Sequence, residues 1–501
     1  MTKGWQLDRV ANRHEATGRG QSRVNISDDL RLRFLLVLVT AIFLLGGGAR
    51  ADVSSLALLR PIAAVAMIFL IVFEWRQAMA AARGPATLVL ATGVLVFLHV
   101  IPLPPEVWTI LPGRQIVVDT MAVTGIKPGW MPLTLAPVEG WNQLFALTVP
   151  AAALLAMVFA GGNAIRPVVL LLLGIIMTSA LIGLLQSIGP TNSPLYFYRI
   201  TNNGVGVGLF ANRNHQAMLL ACFFPLLAAW VSTIGGTAES QRAKLAIALG
   251  LGMAVLPLLF VTGSRSGLVL AAVGIATAFI VFRRPTGGVR ARSHDSSRRV
   301  AAFSVAATMA TMTLVAALST RSVALQRMLE NDPADDLRFQ ALPTIMDAVG
   351  MFFPFGSGAG SFVPVYRMLE PDALLGSAYF NHAHNDLAEV ALEYGLFGVA
   401  LIFAAAVMWV TGVVRLWIHR RAGGGRPDRA QIYGWAGAAI LLILGLGSLV
   451  DYPLRVPSLA SLAVLASYWM GAALRAARTV DAGNSQRAEY RLAAETDKEP
   501  R

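Results

Sequence analysis

The stretch Asn381-His382-Ala383-His384-Asn385-Asp386 runs straight into residues 387–412, an apolar run long enough to cross a bilayer and carrying Gly395 and Gly398. Ionisable groups placed where a polar loop meets a membrane span are costly, and chemistry is the usual reason for keeping them there. The junction thus marks a span on one side and a candidate active site on the other.

The rest of the chain has the composition of a membrane protein. Of 501 residues, 55% are hydrophobic and only 14% charged, with a mean hydropathy of +0.60. A soluble domain could not hide that much apolar surface. The single cysteine, Cys222, excludes an intramolecular disulfide and a Cys-based metal site. The net charge of +13 is carried by loops between apolar segments and reads as topology, with no nucleic acid as partner.

Apolar runs of roughly 17 to 25 residues mark twelve expected spans. They lie near 33–49, 54–73, 86–103, 142–161, 167–187, 214–234, 244–262, 266–282, 300–318, 387–412, 433–450 and 456–474. With the N-terminus inside, the cytoplasmic segments hold 29 of the 41 lysines and arginines, so the positive-inside bias places both termini in the cytoplasm. The expected fold is all-α: a membrane domain over 32–478, with a large periplasmic loop at 319–386 before the tenth helix. The polar ends, 1–31 and 479–501, have few large apolar residues and are expected to be disordered. A competing reading treats Leu35 to Leu45 as a leader core, with Ala49-Arg50-Ala51 as its small-x-small cleavage site.

This orientation puts 104–141, 188–213 and 319–386 outside, together with most of the unusual residues. Asn212 and Asn214 suit either a helix cap or a polar site. Arg213 beside them runs against the positive-inside bias. Thr262-Gly263-Ser264-Arg265-Ser266-Gly267 is a hairpin so short that Arg265 must sit at its tip, where a guanidinium can grip phosphate or simply snorkel. Arg338, Leu342, Ile345 and Val349 share one helical face, although Pro343 could restart that helix. Asp332, Asp335 and Asp336 read as solvated loop. His382 and His384 lack a third metal ligand, so proton transfer is their better use. Residues 354–362 lack the Lys-Ser/Thr of a P-loop and read as a tight, flexible turn. Asp451 and Arg455 cap the last hairpin as a local ion pair, and Arg60 is a further intramembrane charge.

Together these residues resemble the O-antigen ligase-related family of bacterial inner-membrane glycosyltransferases. His384-Asn385, nine residues, then Gly395-Leu396-Phe397-Gly398 is similar to its His-Asn-x9-Gly-x-x-Gly signature. Ser264-Arg265 resembles its Ser-Arg turn, and 208–214 its Gly-x-Phe-x-Asn-x-Asn element. Residues 353–362 resemble its Asn-Pro-x-x-Gly-x-Gly-x-Gly-x-Phe turn, with Phe353 in place of Asn. The likeness covers about 200–398.

The resemblance implies a helical, GT-C-like membrane glycosyltransferase working without cofactor or metal. Its donor would be an undecaprenyl-diphosphate-linked glycan, its acceptor lipid A-core or another hydroxyl, and its setting the periplasmic face of the inner membrane among membrane lipids. By position, Arg265 and Arg338 match the family's diphosphate-binding arginines, with Arg213 as a further candidate. His384 matches the presumed base, and His382, Asn385, Asn212, Asn214, Asp451 and Arg455 are expected to support it. A polysaccharide polymerase, a protein O-oligosaccharyltransferase and, in another class, a flippase or exporter are the alternatives.

Overall fold

The computed structural model describes residues 27–233, 237–283, 333–375, 380–422 and 428–496. These are mostly helical. The first half contains α1 (Asp28–Leu45), α2 (Leu56–Ala81), α3 (Arg83–Val100), α4 (Pro105–Trp108), α5 (Gln115–Val123), α6 (Pro137–Ala146), α7 (Thr148–Ala160) and α8 (Ile165–Ile188). It continues with α9 (Arg213–Ser232), α10 (Ala238–Val261) and α11 (Arg265–Val281). After the gap come α12 (Pro333–Phe352), α13 (Phe362–Leu369), α14 (Asp386–Ala422), α15 (Arg429–Gly447) and α16 (Pro457–Thr496). A two-stranded antiparallel pair, Pro102–Leu103 with Met131–Pro132, is the only sheet among the described residues.

Eight helical stretches among these residues are long and apolar enough to cross a membrane, and Leu56–Val72 and Arg265–Val281 are shorter apolar helices. Each expected span outside 300–318 coincides with a helix, while 300–318 lies outside the described residues. The first, α1, has Asp28, Asp29, Arg31 and Arg33 in its opening turns. Its other end is built into the core: Leu35, Ile42 and Phe43 are buried, and Gly46 and Gly47 accept hydrogen bonds from Ser458 and Ala211.

At the ends, the structure corrects the expected tails where it describes them. Ser27 caps α1, accepting from Leu30, so 28–31 is helical. At the other end α16 continues through 479 to Thr496. The span itself supplies the costly helical nucleus, and the Ala-, Arg- and Glu-rich continuation extends it at low cost. Residues 1–26 and 497–501 lie outside the described residues.

At the centre, α9 is buried nearly all round, including Cys222. Lipid offers no hydrophobic drive between helices, so close approach at small residues must hold them. A Cβ at Gly274 of α11 would lie 2.4 Å from the Ala221 carbonyl oxygen of α9, and one at Gly437 of α15 only 2.3 Å from that of Ala466 in α16. A separate small core outside this bundle joins α12 and α13 to the start of α14 through Ile345, Phe352, Phe362, Tyr366 and Leu392. Pro343 sits inside α12 without dividing it. Ala341, Ile345, Ala348 and Phe352 form its buried face, with Arg338, Leu342 and Val349 half-buried beside them, as the spacing predicts.

Candidate active site

His384 stands at the last turn of backbone before α14 and is the only non-glycine residue with positive φ among those described, at 50°. Holding such a residue left-handed costs roughly 1–3 kcal/mol, and strain of this kind gathers at functional sites. Its ring lies against Phe380 and Tyr452, with centroids 6.4 and 5.0 Å away. Its Nδ1 is 3.1 Å from Oδ1 of Asp451, a carboxylate with no exposed surface.

Asp451 ties three separate sequence elements to that histidine. Its Oδ2 accepts from the side-chain amides of Asn214 at 2.7 Å and Asn212 at 3.3 Å, and its Oδ1 from the Tyr452 N–H at 3.0 Å. His215 Nε2 lies 3.7 Å away. The Asn214 amide oxygen in turn accepts from Ser264 Oγ at 2.8 Å, and Ser264 caps α11 by accepting from the Gly267 N–H. A continuous relay therefore runs from His384 through Asp451 and Asn214 to the Ser264-Arg265 turn. Asn212 is a helix cap as well, accepting from the Asn214 N–H at 2.8 Å.

The 207–214 backbone is fixed from behind. Gln186 Oε1 accepts from the N–H groups of Val207 and Gly208, its Nε2 donates to Gly208 O, and Ser179 Oγ accepts from Leu209. Gly208 has φ 58°, and a Cβ there would strike Ser179 Oγ at 2.4 Å. Only glycine lets the chain turn this close to α8.

The arginines take different positions. Arg265 is exposed at the first turn of α11, one residue from the relay. Arg338 is half-buried, and its charge acts on both His384 and Tyr452. Arg213 is buried at the start of α9, where its N–H donates to Asn202. Burial lowers the His384 pKa below the ordinary 6.5, and the charges of Arg338 and His382 act in the same direction against the raising effect of Asp451. Burial alone would raise Asp451, yet His215 and His384 hold it well below the usual carboxylate range. The pair therefore suits a neutral imidazole backed by a carboxylate.

Residues 250–403 match the family model of the O-antigen ligase. This region is similar to an O-antigen ligase domain. No curated protein matches it. The matched region includes Ser264, Arg265, Arg338, His384 and Gly395, whereas Asn212, Asn214 and Asp451 lie outside it and reach it by folding.

Two expectations about the surroundings of this site are corrected. Asp451 and Arg455 do not form a local pair. Arg455 instead turns to α14, with Nε 3.6 Å from Asp386 and 3.3 Å from Glu389, and Nη2 3.1 Å from Glu393. Four residues of separation across a 3-10 turn point the two side chains to opposite walls. The 354–362 turn is not loose: a Cβ at Gly358 would lie 2.1 Å from Thr134 Cα and one at Gly356 2.4 Å from Glu393 O. Gly395, at φ 56° and ψ −141°, interrupts α14 and lets the Leu396 N–H reach Pro354 O at 2.9 Å. Asn385 has the simpler task of accepting from the Ala388 N–H at 3.1 Å in the first turn of α14.

Some important groups escaped the sequence reading. Glu389 and Glu393 recur on one face of α14 with Asp386 of the opening stretch, a signal visible as carboxylates inside an apolar run. Glu389 lies 2.8 Å from His382 Nδ1 and accepts from the Ala383 N–H at 2.8 Å; Glu393 accepts from Gln143. Arg114, buried in the segment between α4 and α5, donates to the carbonyls of Leu133, Gly356 and Ser357, and burial lowers its pKa to about 10. It binds the segment after α3 to the turn between α12 and α13. Arg60 donates to Asn142, whose amide donates to Glu139, which makes it part of the packing between α2 and α6. Asp332 lies outside the described residues, and Asp335 and Asp336 fall in the first turn of α12.

Proposed function

We propose that this chain transfers a glycan from undecaprenyl diphosphate to an acceptor hydroxyl at the periplasmic face of the inner membrane, in the manner of an O-antigen ligase with lipid A-core as acceptor. The relay from His384 through Asp451 and Asn214 to Ser264-Arg265 carries the reading, because it sets a base beside an arginine suited to diphosphate. Proton donation from Nδ1 to Asp451 leaves Nε2 as acceptor for the hydroxyl proton. The deprotonating oxygen bonds to the anomeric carbon from the face opposite the leaving group and inverts it. The bond from that carbon to the diphosphate oxygen breaks, and its electron pair leaves with the lipid diphosphate. Arg265 and Arg338 would neutralise the growing charge, so the chemistry requires no metal.

The carboxylate also favours transfer over a flippase. A transport pathway has no need for a strained histidine aligned by a buried carboxylate. Both termini would be cytoplasmic, with reporter fusions at Gly113 and Asn202 reading as periplasmic and one at Gly424 as cytoplasmic.

Arg265→Lys retains charge but loses the planar fork, so ligation should fall strongly while the protein still inserts at normal levels. Near-normal transfer by this variant would reduce Arg265 to a headgroup anchor. Mass analysis of surface glycans after deletion identifies the acceptor. Unligated lipid-linked polymer indicates a ligase, single repeat units a polymerase, and unglycosylated protein an O-oligosaccharyltransferase.

A further inference from the structure

A groove of about 810 Å³ runs between α14, α15 and α16 beside the start of α3, away from the relay's contacts with α9 and α11. Its walls are apolar along most of their length, but Arg83 at the start of α3, Arg415 late in α14, and Arg475 and Arg478 further along α16 line it toward one end. At the other end lie Leu449 and Leu454, near Asp386 and Ser448. One helical turn before Ser448, a Cβ at Gly445 of α15 would meet nothing within 4 Å, so this part of the groove is open space.

The wall from Ala463 to Arg478 rises roughly 22 Å at 1.5 Å per residue, more than the ~15 Å that one leaflet contributes to the hydrocarbon core. We propose that this groove is a binding site for an anionic phospholipid, its phosphate held at the four-arginine end and its acyl chains laid along the apolar walls. The separation of charge and apolar surface matches that of the ligand. A neutral lipid or detergent would use the walls but leave the arginine end unmatched. The donor's diphosphate belongs at the other membrane face, beside Asp386, Ser448 and the His384 loop. The site does not depend on the proposed transfer reaction. By the proposed topology its headgroup end faces the cytoplasmic leaflet.

The arginines and the open space give independent tests. The full chain can be equilibrated with vesicles of equal parts phosphatidylglycerol and phosphatidylethanolamine, purified in mild detergent and weighed by native mass spectrometry. The unmodified protein should retain phosphatidylglycerol in preference to phosphatidylethanolamine. A charged residue near an anionic headgroup changes binding by roughly fivefold, so Arg415→Gln, Arg475→Gln and Arg478→Gln together should weaken retention by about a hundredfold. Gly445→Phe, which fills the groove and leaves every arginine, should lose the lipid as well. Arg429→Gln removes a charge near the same end of the bundle but outside the groove lining, and should retain it. Equal retention of both lipids, polyprenyl phosphate in place of phospholipid, or an unchanged Gly445→Phe variant would overturn the site. So would a loss in Arg429→Gln as large as in the triple variant. If the triple variant does not fold, the glycine variant and the lipid preference of the unmodified protein still decide it.

Discussion

His382 and His384 are two residues apart and both lie against Tyr452, yet they meet different carboxylates. His384 faces one carboxylate, Asp451, whose remaining partners are mainly amides and backbone N–H. His382 faces Glu389, which also serves Arg455 and the Ala383 backbone in a cluster shared with Asp386 and Glu393. The first arrangement orients a ring and, in the proposed reaction, leaves one nitrogen for the substrate. The second neutralises charges buried at the start of a span. In the proposed reaction, identical side chains in a short motif thus divide into chemistry and architecture according to what their carboxylate partners must also satisfy.

Removing the base tests this division most severely. His384→Ala should reduce ligation by 10²–10⁴-fold, the usual contribution of a general base, at unchanged membrane levels. A variant retaining more than about a tenth of the activity would end the assignment.

A large effect of another kind is expected from Arg455→Ala. It leaves Asp386, Glu389 and Glu393 without their shared cation, and breaking a buried pair in this way costs about 3–5 kcal/mol. Folded protein recovered in detergent should fall sharply. If Arg455→Ala keeps a normal thermal midpoint but loses catalysis, the cluster belongs to the chemistry and the comparison fails.

The pH profile should separate the partners of His384 more gently. A base works only when unprotonated, so a lowered pKa moves the acidic limb of kcat/KM below the ordinary histidine value of 6.5. Arg338 lowers that pKa and Asp451 raises it. The limb should therefore move upward in Arg338→Gln and further down in Asp451→Asn. Movement of both variants in one direction would break the electrostatic account. The smallest effect is reserved for His382→Ala, expected to keep activity within about tenfold of normal, below the usual range for loss of a base. A greater loss there, with His384→Ala active, would move the base to His382.

The relay was legible only in part. Ser264-Arg265, Asn212, Asn214 and His384 stand out because polar residues at the ends of apolar runs need a reason. Asp451 was visible as a loop acid but was assigned to Arg455, since neighbours in sequence are the only partners that a sequence displays. Their true partners lie 67 and 62 residues away, at His384 and Glu393.

Span positions and the candidate histidine followed from the sequence itself, because bilayer thickness sets the length of apolar runs and charge is costly beside them. Composition likewise established a membrane protein. Only tertiary structure decided which histidine meets Asp451, that three carboxylates share Arg455, and that Gly395 interrupts a helix to receive the 354–356 turn. Those outcomes depend on which helix ends pack together, and hydropathy along one span carries no record of the neighbour it will meet.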